Sequence, residues 1–130
     1  MSKASRDKGK RGERKWRDRL REEGFQAERT GWMQSRGGGI DVPDVQSDDL
    51  NVHFEVKTVE RLNLNAAIDQ AQGDAGGKPV AIVYQQNRKE PLIIMPASDW
   101  FRAVRGDILI GPNPTNNVHS AKDEGEKLEK

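Results

Sequence analysis

Asp44-Val45-Gln46 followed by Val52-His53-Phe54-Glu55-Val56-Lys57 is the stretch that decides how this chain folds. On an extended strand, residues two apart share a face. Glu55 and Lys57 therefore project together, while Phe54 and Val56 turn the other way into a core. The intervening Ser47-Asp48-Asp49-Leu50-Asn51 is turn-forming and predicts an antiparallel pair. With a two-residue loop at Asp49-Leu50, Asp44 falls directly opposite Glu55, their Cβ atoms about 4.5–5.5 Å apart. Two carboxylates at that distance repel one another unless a cation lies between them. A longer turn centred near Asp48 puts Asp41 opposite Glu55 instead. Pro43 cannot donate to a strand ladder and favours a strand that begins at Asp44.

Working outward, residues from about Lys8 to Glu23 carry a helical pattern, with Trp16 and Leu20 on one face and Gly24 as the stop. That face, extended backward, meets Glu13, an acid placed at the edge of the core. Phe25 to Arg29 reads as a short strand, and Thr30–Gly39 as a glycine-rich loop carrying Trp32, Ser35 and Arg36. A second helix is expected from about Asn63 to Ala75, ended by Gly76-Gly77. Pro79–Tyr84 and Leu92–Met95 suit buried strands, and Ser98 can cap a helix running to Arg105, with Gly106 as its stop. The order helix, three strands, helix, strand, strand, helix predicts a single small α/β domain with a central mixed sheet flanked by helices. We expect residues 1–7 to be a flexible basic arm, 8–112 the folded domain, and 113–130 a disordered polar tail.

Composition narrows the chemistry. The chain has 130 residues, 33% of them hydrophobic and 33% charged, so one modest core is expected. No apolar run approaches a membrane span or a signal-peptide core. Cysteine is absent and the two histidines, His53 and His119, are isolated, which excludes thiolate and His-rich zinc sites. A reducing cytoplasm is compatible with this. A metal would be held by carboxylate oxygens, favouring Mg²⁺, with Mn²⁺ as a substitute. Residues 1–21 hold ten Lys/Arg against three acids, a local charge of +7 in a chain whose net is +1. Such a segment, with Lys8, Lys10, Arg11 and Arg14 at its centre, suits a polyanion such as nucleic acid.

Together these features point to phosphodiester hydrolysis. A divalent ion between Asp44 and Glu55 can polarise a phosphate oxygen and acidify a bound water. Lys57 can orient that water or offset charge at phosphorus, and Glu13 adds a further carboxylate. A bare Glu-x-Lys also fits an ordinary wet hairpin. The opposing acid, Glu13 and the basic segment are what set this one apart. His53 shares the Glu55 face, although packing or exposure is the simpler account of it. Trp32 could stack on an unpaired base or anchor the loop.

Lys8-Gly9-Lys10-Arg11-Gly12-Glu13-Arg14, Gly24-Phe25, Arg29, the glycine-rich loop, Pro43-Asp44-Val45 and Glu55-Val56-Lys57 resemble the PD-(D/E)XK nuclease superfamily. Within it, the chain looks most like archaeal-type Holliday junction resolvases and their phage-encoded relatives. The resemblance covers about residues 8 to 105. It implies a restriction-endonuclease-like core, a homodimer on four-way DNA junctions, and Mg²⁺-dependent symmetric nicking in recombination and repair. It assigns the metal-binding acids to Glu13, Asp44 and Glu55 and the catalytic lysine to Lys57. It matches Arg29 and Ser35 to DNA-contacting positions, beside Arg36, and points to Gln70 at the border of the site. The helical wheel through Leu64, Ile68 and Ala71 instead brings Gln72 nearer the buried face. The Asp44–Glu55 connection looks shorter than in many archaeal members, and the polar tail has no obvious counterpart. Two other readings stay open: the same nuclease type acting on flaps, nicked or single-stranded DNA, and a non-catalytic DNA-binding module. No small-molecule cofactor and no membrane is expected, and a phage-encoded enzyme would work in the host cytoplasm.

Overall fold

The computed structural model describes residues 2–30 and 44–110. Trp32, Ser35, Arg36, Asp41 and the segment from Asn113 onward lie outside the described residues. Within them the element order is α1 (Lys3–Glu22), β1 (Glu28–Arg29), β2 (Val45–Gln46), β3 (His53–Thr58), α2 (Leu64–Ala75), β4 (Val80–Gln85), β5 (Leu92–Ile94) and α3 (Ala97–Val104). The strands form one sheet in the order β1-β2-β3-β4-β5. β3 and β4 run parallel and the other neighbours antiparallel, so the sheet is mixed. This is the α/β architecture expected from the order of patterns.

α1 begins earlier than its apolar periodicity suggests. Ser2 Oγ accepts the Ser5 N–H at 3.1 Å, an N-cap that recruits residues 3–7 into the helix. The stretch expected to be a free basic arm is therefore the opening of α1, and it is exposed. At the other end Gly24 takes φ 97°, and the Phe25 N–H reaches back 3.0 Å to the Leu20 carbonyl. That turn, and a 2.6 Å bond from the Gln26 N–H to Asp49 Oδ2, shorten the expected first strand to Glu28–Arg29.

The buried face of α1 is Gly12, Trp16 and Leu20. Trp16 meets Phe54 edge to face, ring centroids 5.7 Å apart, and Val45, Val56, Ala81 and Val83 complete this core. The opposite face of the sheet is covered by α2. Asn63 Oδ1 accepts the Ala66 N–H at 3.2 Å to start that helix, and Gly76 ends it in a left-handed conformation, φ 60°. Ala67, Ala71 and Ala75 lie against Val80 and Ile82. β4 is thus apolar on both faces, as a central parallel strand requires. Parallel neighbours cannot be joined by a tight turn, and α2 is the crossover between β3 and β4.

α3 begins at Ala97 with Pro96 at its N-cap, and Ser98 does not cap it. The local signal is overridden by Asp99, which is buried and accepts the Val80 N–H at 3.1 Å, fastening α3 to the start of β4. Trp100 and Phe101 stack edge to face on each other at 5.0 Å and stay half exposed.

Candidate active site

The alternation on β3 sorts its side chains as expected. Phe54 and Val56 join the α1-side core. His53, Glu55 and Lys57 lie on the α2 side, where Lys57 Nζ donates to Gln70 Oε1 at 3.3 Å. Gln70 rather than Gln72 therefore borders the acid–lysine pair. Glu55 is deeply buried, its side chain only 7% exposed, with Lys57 Nζ 3.8 Å from Oε2. His53, 2% exposed, sets Nε2 3.3 Å from the other carboxylate oxygen, Oε1.

Val45 pairs with Phe54, the register in which Asp44 stands opposite Glu55. The Asp44 N–H donates to the Phe54 carbonyl at 3.1 Å, and Asp44 Oδ2 accepts the Val56 N–H at 2.9 Å. The expected register holds, but the expected two-residue turn does not. β2 ends at Gln46, and the connection is pulled away from a hairpin by tertiary bonds. Leu50 bridges Leu109, the Asn51 N–H donates to the Ile108 carbonyl at 2.7 Å, and the Ile110 N–H to the Asp49 carbonyl at 2.9 Å.

Glu13 comes from α1, its side chain 17% exposed, at the edge of the core. Arg29 Nε donates to Glu13 Oε1 at 2.9 Å. Burial raises the Glu13 pKa above the ordinary carboxylate value. Its Arg29 partner pulls the other way, the Glu55 charge adds to the rise, and Lys10 opposes it weakly. Glu13 and Glu55 thus feel each other's charge, the condition a cation relieves. Arg29, expected to contact DNA, has its guanidinium engaged by Glu13. Among the described residues, the ligand atoms that gather within 4.8 Å of one another belong to His53, Glu55 and Asp74. Glu55 is where expected, but its companions there come from its own strand and from α2.

In the sequence Asp74 is one acid on a helix. The signal was present all the same. Ala67, Ala71 and Ala75 mark the buried stripe of α2, and Gln70 and Asp74, four apart, run along its flank. For His53, strand alternation gives the face and not the depth.

The basic residues of α1 lie at the surface on its own side of the sheet. Lys10, Arg11 and Arg14 are exposed and Lys8 partly so. Lys8, Arg11 and Lys15 line a recess of ≈ 450 Å³ with Thr58 and the Gln85–Arg88 turn, continuous in sequence with the end of β3. Arg11, Arg14 and Lys15 also line a neighbouring groove with Asp18 and Glu22.

No protein-family model matches the chain, and no curated protein matches it closely. Among solved structures it is similar in fold to Hjc, a Holliday junction resolvase from the archaeal hyperthermophile Archaeoglobus fulgidus. The two share 21% identity with a TM-score of 0.48, over 65% of this chain and 73% of that one. No helix among the described residues is long and apolar enough to cross a membrane.

Proposed function

We propose that this chain is a metal-dependent endonuclease that nicks four-way DNA junctions symmetrically as a homodimer. The observation that carries the reading is the paired register: Asp44 held opposite a buried Glu55, with Lys57 on the Glu55 side and braced by Gln70. The donor set fits a hard divalent cation such as Mg²⁺ or Mn²⁺, since Asp44, Glu55 and Glu13 offer only carboxylate oxygens. When bound, that cation supplies Lewis acidity toward a phosphate oxygen and a more acidic water.

The chain's own residues do the rest. Asp44, fixed by the Val56 N–H, and Glu55, fixed by its burial, would hold the ion. Glu13 adds a carboxylate whose orientation is set by Arg29. Lys57 Nζ orients the attacking water or offsets charge at the scissile phosphate, and Gln70 limits where that ammonium can go. Lys8, Lys10, Arg11 and Arg14 bind phosphates without reading sequence, with Ser35 and Arg36 extending the contact. A two-fold dimer would present two such centres to the two equivalent strands of a junction. The half-exposed Leu92, Ile93, Trp100 and Phe101 supply apolar surface for it. Such an enzyme would act in recombination and repair in the cytoplasm of the cell holding its DNA.

The test is cleavage of a synthetic four-way junction and a matched linear duplex, with Mg²⁺ and with excess EDTA. Symmetric nicking of the junction only, and only with metal, is expected. Equal cutting of flaps or nicked duplex would move the substrate. Junction binding without any cleavage would reduce the chain to a DNA-binding module.

A further inference from the structure

We propose a second cation site, formed by His53, Glu55 and Asp74 and selective for ions that accept imidazole, such as Zn²⁺, Co²⁺ or Mn²⁺. It is distinct from the carboxylate site proposed above, with Glu55 common to the two. Three observations place it. The His53 imidazole is buried at 2% exposure on a backbone pinned by its own N–H, 2.8 Å from the Pro79 carbonyl. The two oxygens of Glu55 face different partners, Oε1 toward His53 at 3.3 Å and Oε2 toward Lys57 at 3.8 Å. Asp74, half-buried on α2, completes a set of ligand atoms that all lie within 4.8 Å of one another.

The spacing fits coordination. Ligands about 2.0–2.2 Å from an ion stand about 3.3–3.6 Å apart at tetrahedral angles, and about 4.0–4.4 Å apart when trans. The His53–Glu55 separation of 3.3 Å already has the tetrahedral value. An outer limit of 4.8 Å closes to the tetrahedral range with at most about 1.5 Å of movement, within reach of a side-chain rotation at the half-buried Asp74. Three protein ligands leave one position for water, as in open zinc sites. Nitrogen in the set shifts preference from Mg²⁺ toward borderline ions, because Mg²⁺ takes oxygen donors and sheds its waters reluctantly. The competing account is a plain hydrogen bond from His53 to Glu55 with Asp74 a bystander.

The full chain, stripped of metal with a chelator, is titrated with Co²⁺ and followed by visible absorption and calorimetry. One tight site is expected, with the intense visible bands of low-coordinate Co²⁺. Asp74→Asn should weaken Co²⁺ by at least about tenfold, a typical cost for disturbing a metal site. His119→Ala, at the chain's other histidine, should leave binding unchanged. His53→Gln should abolish the tight site, and circular dichroism reports whether that buried change also unfolds the chain. Because Asp74 is not in the core, Asp74→Asn remains decisive if His53→Gln misfolds. Wild-type Co²⁺ affinity in Asp74→Asn, loss of binding in His119→Ala, or no saturable binding by the wild type would each overturn the proposal. Failure of the nuclease reading shows separately, as absent Mg²⁺-dependent junction cleavage with the Co²⁺ titration intact.

Discussion

Gly12→Ala is the substitution where local and tertiary effects oppose each other most clearly. Gly12 sits inside α1, and glycine in a helix interior is about 1 kcal/mol worse than alanine. On propensity alone the change should stabilise the protein. The structure reverses the sign. A Cβ at Gly12 would run into the Thr58 side chain, meeting its hydroxyl oxygen and standing 2.9 Å from its Cβ and 3.3 Å from its Cγ2. Rotating Thr58 moves the hydroxyl and the methyl but not the Cβ, so α1 itself must lift from β3. That movement strains the 3.0 Å bond from Gln85 Nε2 to the Gly12 carbonyl. Overpacking costs about 1–3 kcal/mol, and a weakened buried hydrogen bond about 0.5–1.5 kcal/mol. Set against about 1 kcal/mol of helix propensity, the net is a loss of about 0.5–3.5 kcal/mol.

Differential scanning calorimetry of the full chain checks this. At roughly 3–6 °C per kcal/mol for a domain of this size, the midpoint should fall by roughly 1.5 to 21 °C. Thr58→Ala removes a hydroxyl that is buried without a hydrogen-bond partner among the described residues. Alone it should cost little, and combined with Gly12→Ala it should recover part of the loss, a favourable coupling in a double-mutant cycle. Cleavage should fall as well, because Glu13 is the next residue of α1 and moves with it. A midpoint that rises in Gly12→Ala, toward the propensity gain, would refute the close approach of α1 to Thr58.

Asp44→Asn and Glu55→Gln should each cut junction cleavage by more than about 100-fold, the scale of losing one electrostatic group from an active site; electrophoretic mobility shifts should show binding kept or tightened. Replacing Lys8, Lys10 and Arg11 together by Ala should weaken all DNA shapes alike and reduce the slope of log affinity on log salt by roughly 0.9 per lost phosphate contact; an unchanged slope would remove α1 from the interface. Glu13→Gln reports on the raised Glu13 pKa, whose first cause is burial. A carboxyl raised in the folded state destabilises that state wherever it is ionised, and the penalty fades as pH falls through the folded pKa toward the ordinary value of 4.5. In metal-free buffer Glu13→Gln should therefore melt no lower than wild type at neutral pH, and its advantage should shrink on acidification; an advantage that grows would contradict the assignment.

Much of the site could be read from the chain because its main device has period two. Phe54-Glu55-Val56-Lys57 divides cleanly between faces, and one pairing sum sets Asp44 against Glu55. Residues whose position depends on what crosses over the sheet were less legible. Alternation puts His53 on the Glu55 face but does not reveal that α2 roofs it. Asp74 reaches the same cluster only because Ala67, Ala71 and Ala75 let α2 lie close on β4. The Arg29–Glu13 pair joins two elements separated by a turn, and no local pattern predicts it. Boundaries failed where a side chain outvoted its neighbours. Ser2 captured residues 3–7 into α1, and buried Asp99 displaced Ser98 as the residue that fixes the start of α3.

The crossover links topology to chemistry. Because β3 and β4 are parallel, some segment must cross one face of the sheet, and α2 does so on the face that carries Glu55. Had β3 and β4 been joined by a tight turn, that face could have stayed open to water, and Glu55–Lys57 would be a solvent-screened pair worth little. Under α2, Glu55 is nearly sealed, and a buried carboxylate is costly unless opposite charge or hydrogen bonds compensate it. Lys57 at 3.8 Å is a loose partner and is itself shared with Gln70. His53 carries a charge only when protonated. The crossover thus gathers Asp44, opposite Glu55 in the strand pair, with His53, Lys57 and Asp74 around the same buried carboxylate, a grouping an open face would not hold together.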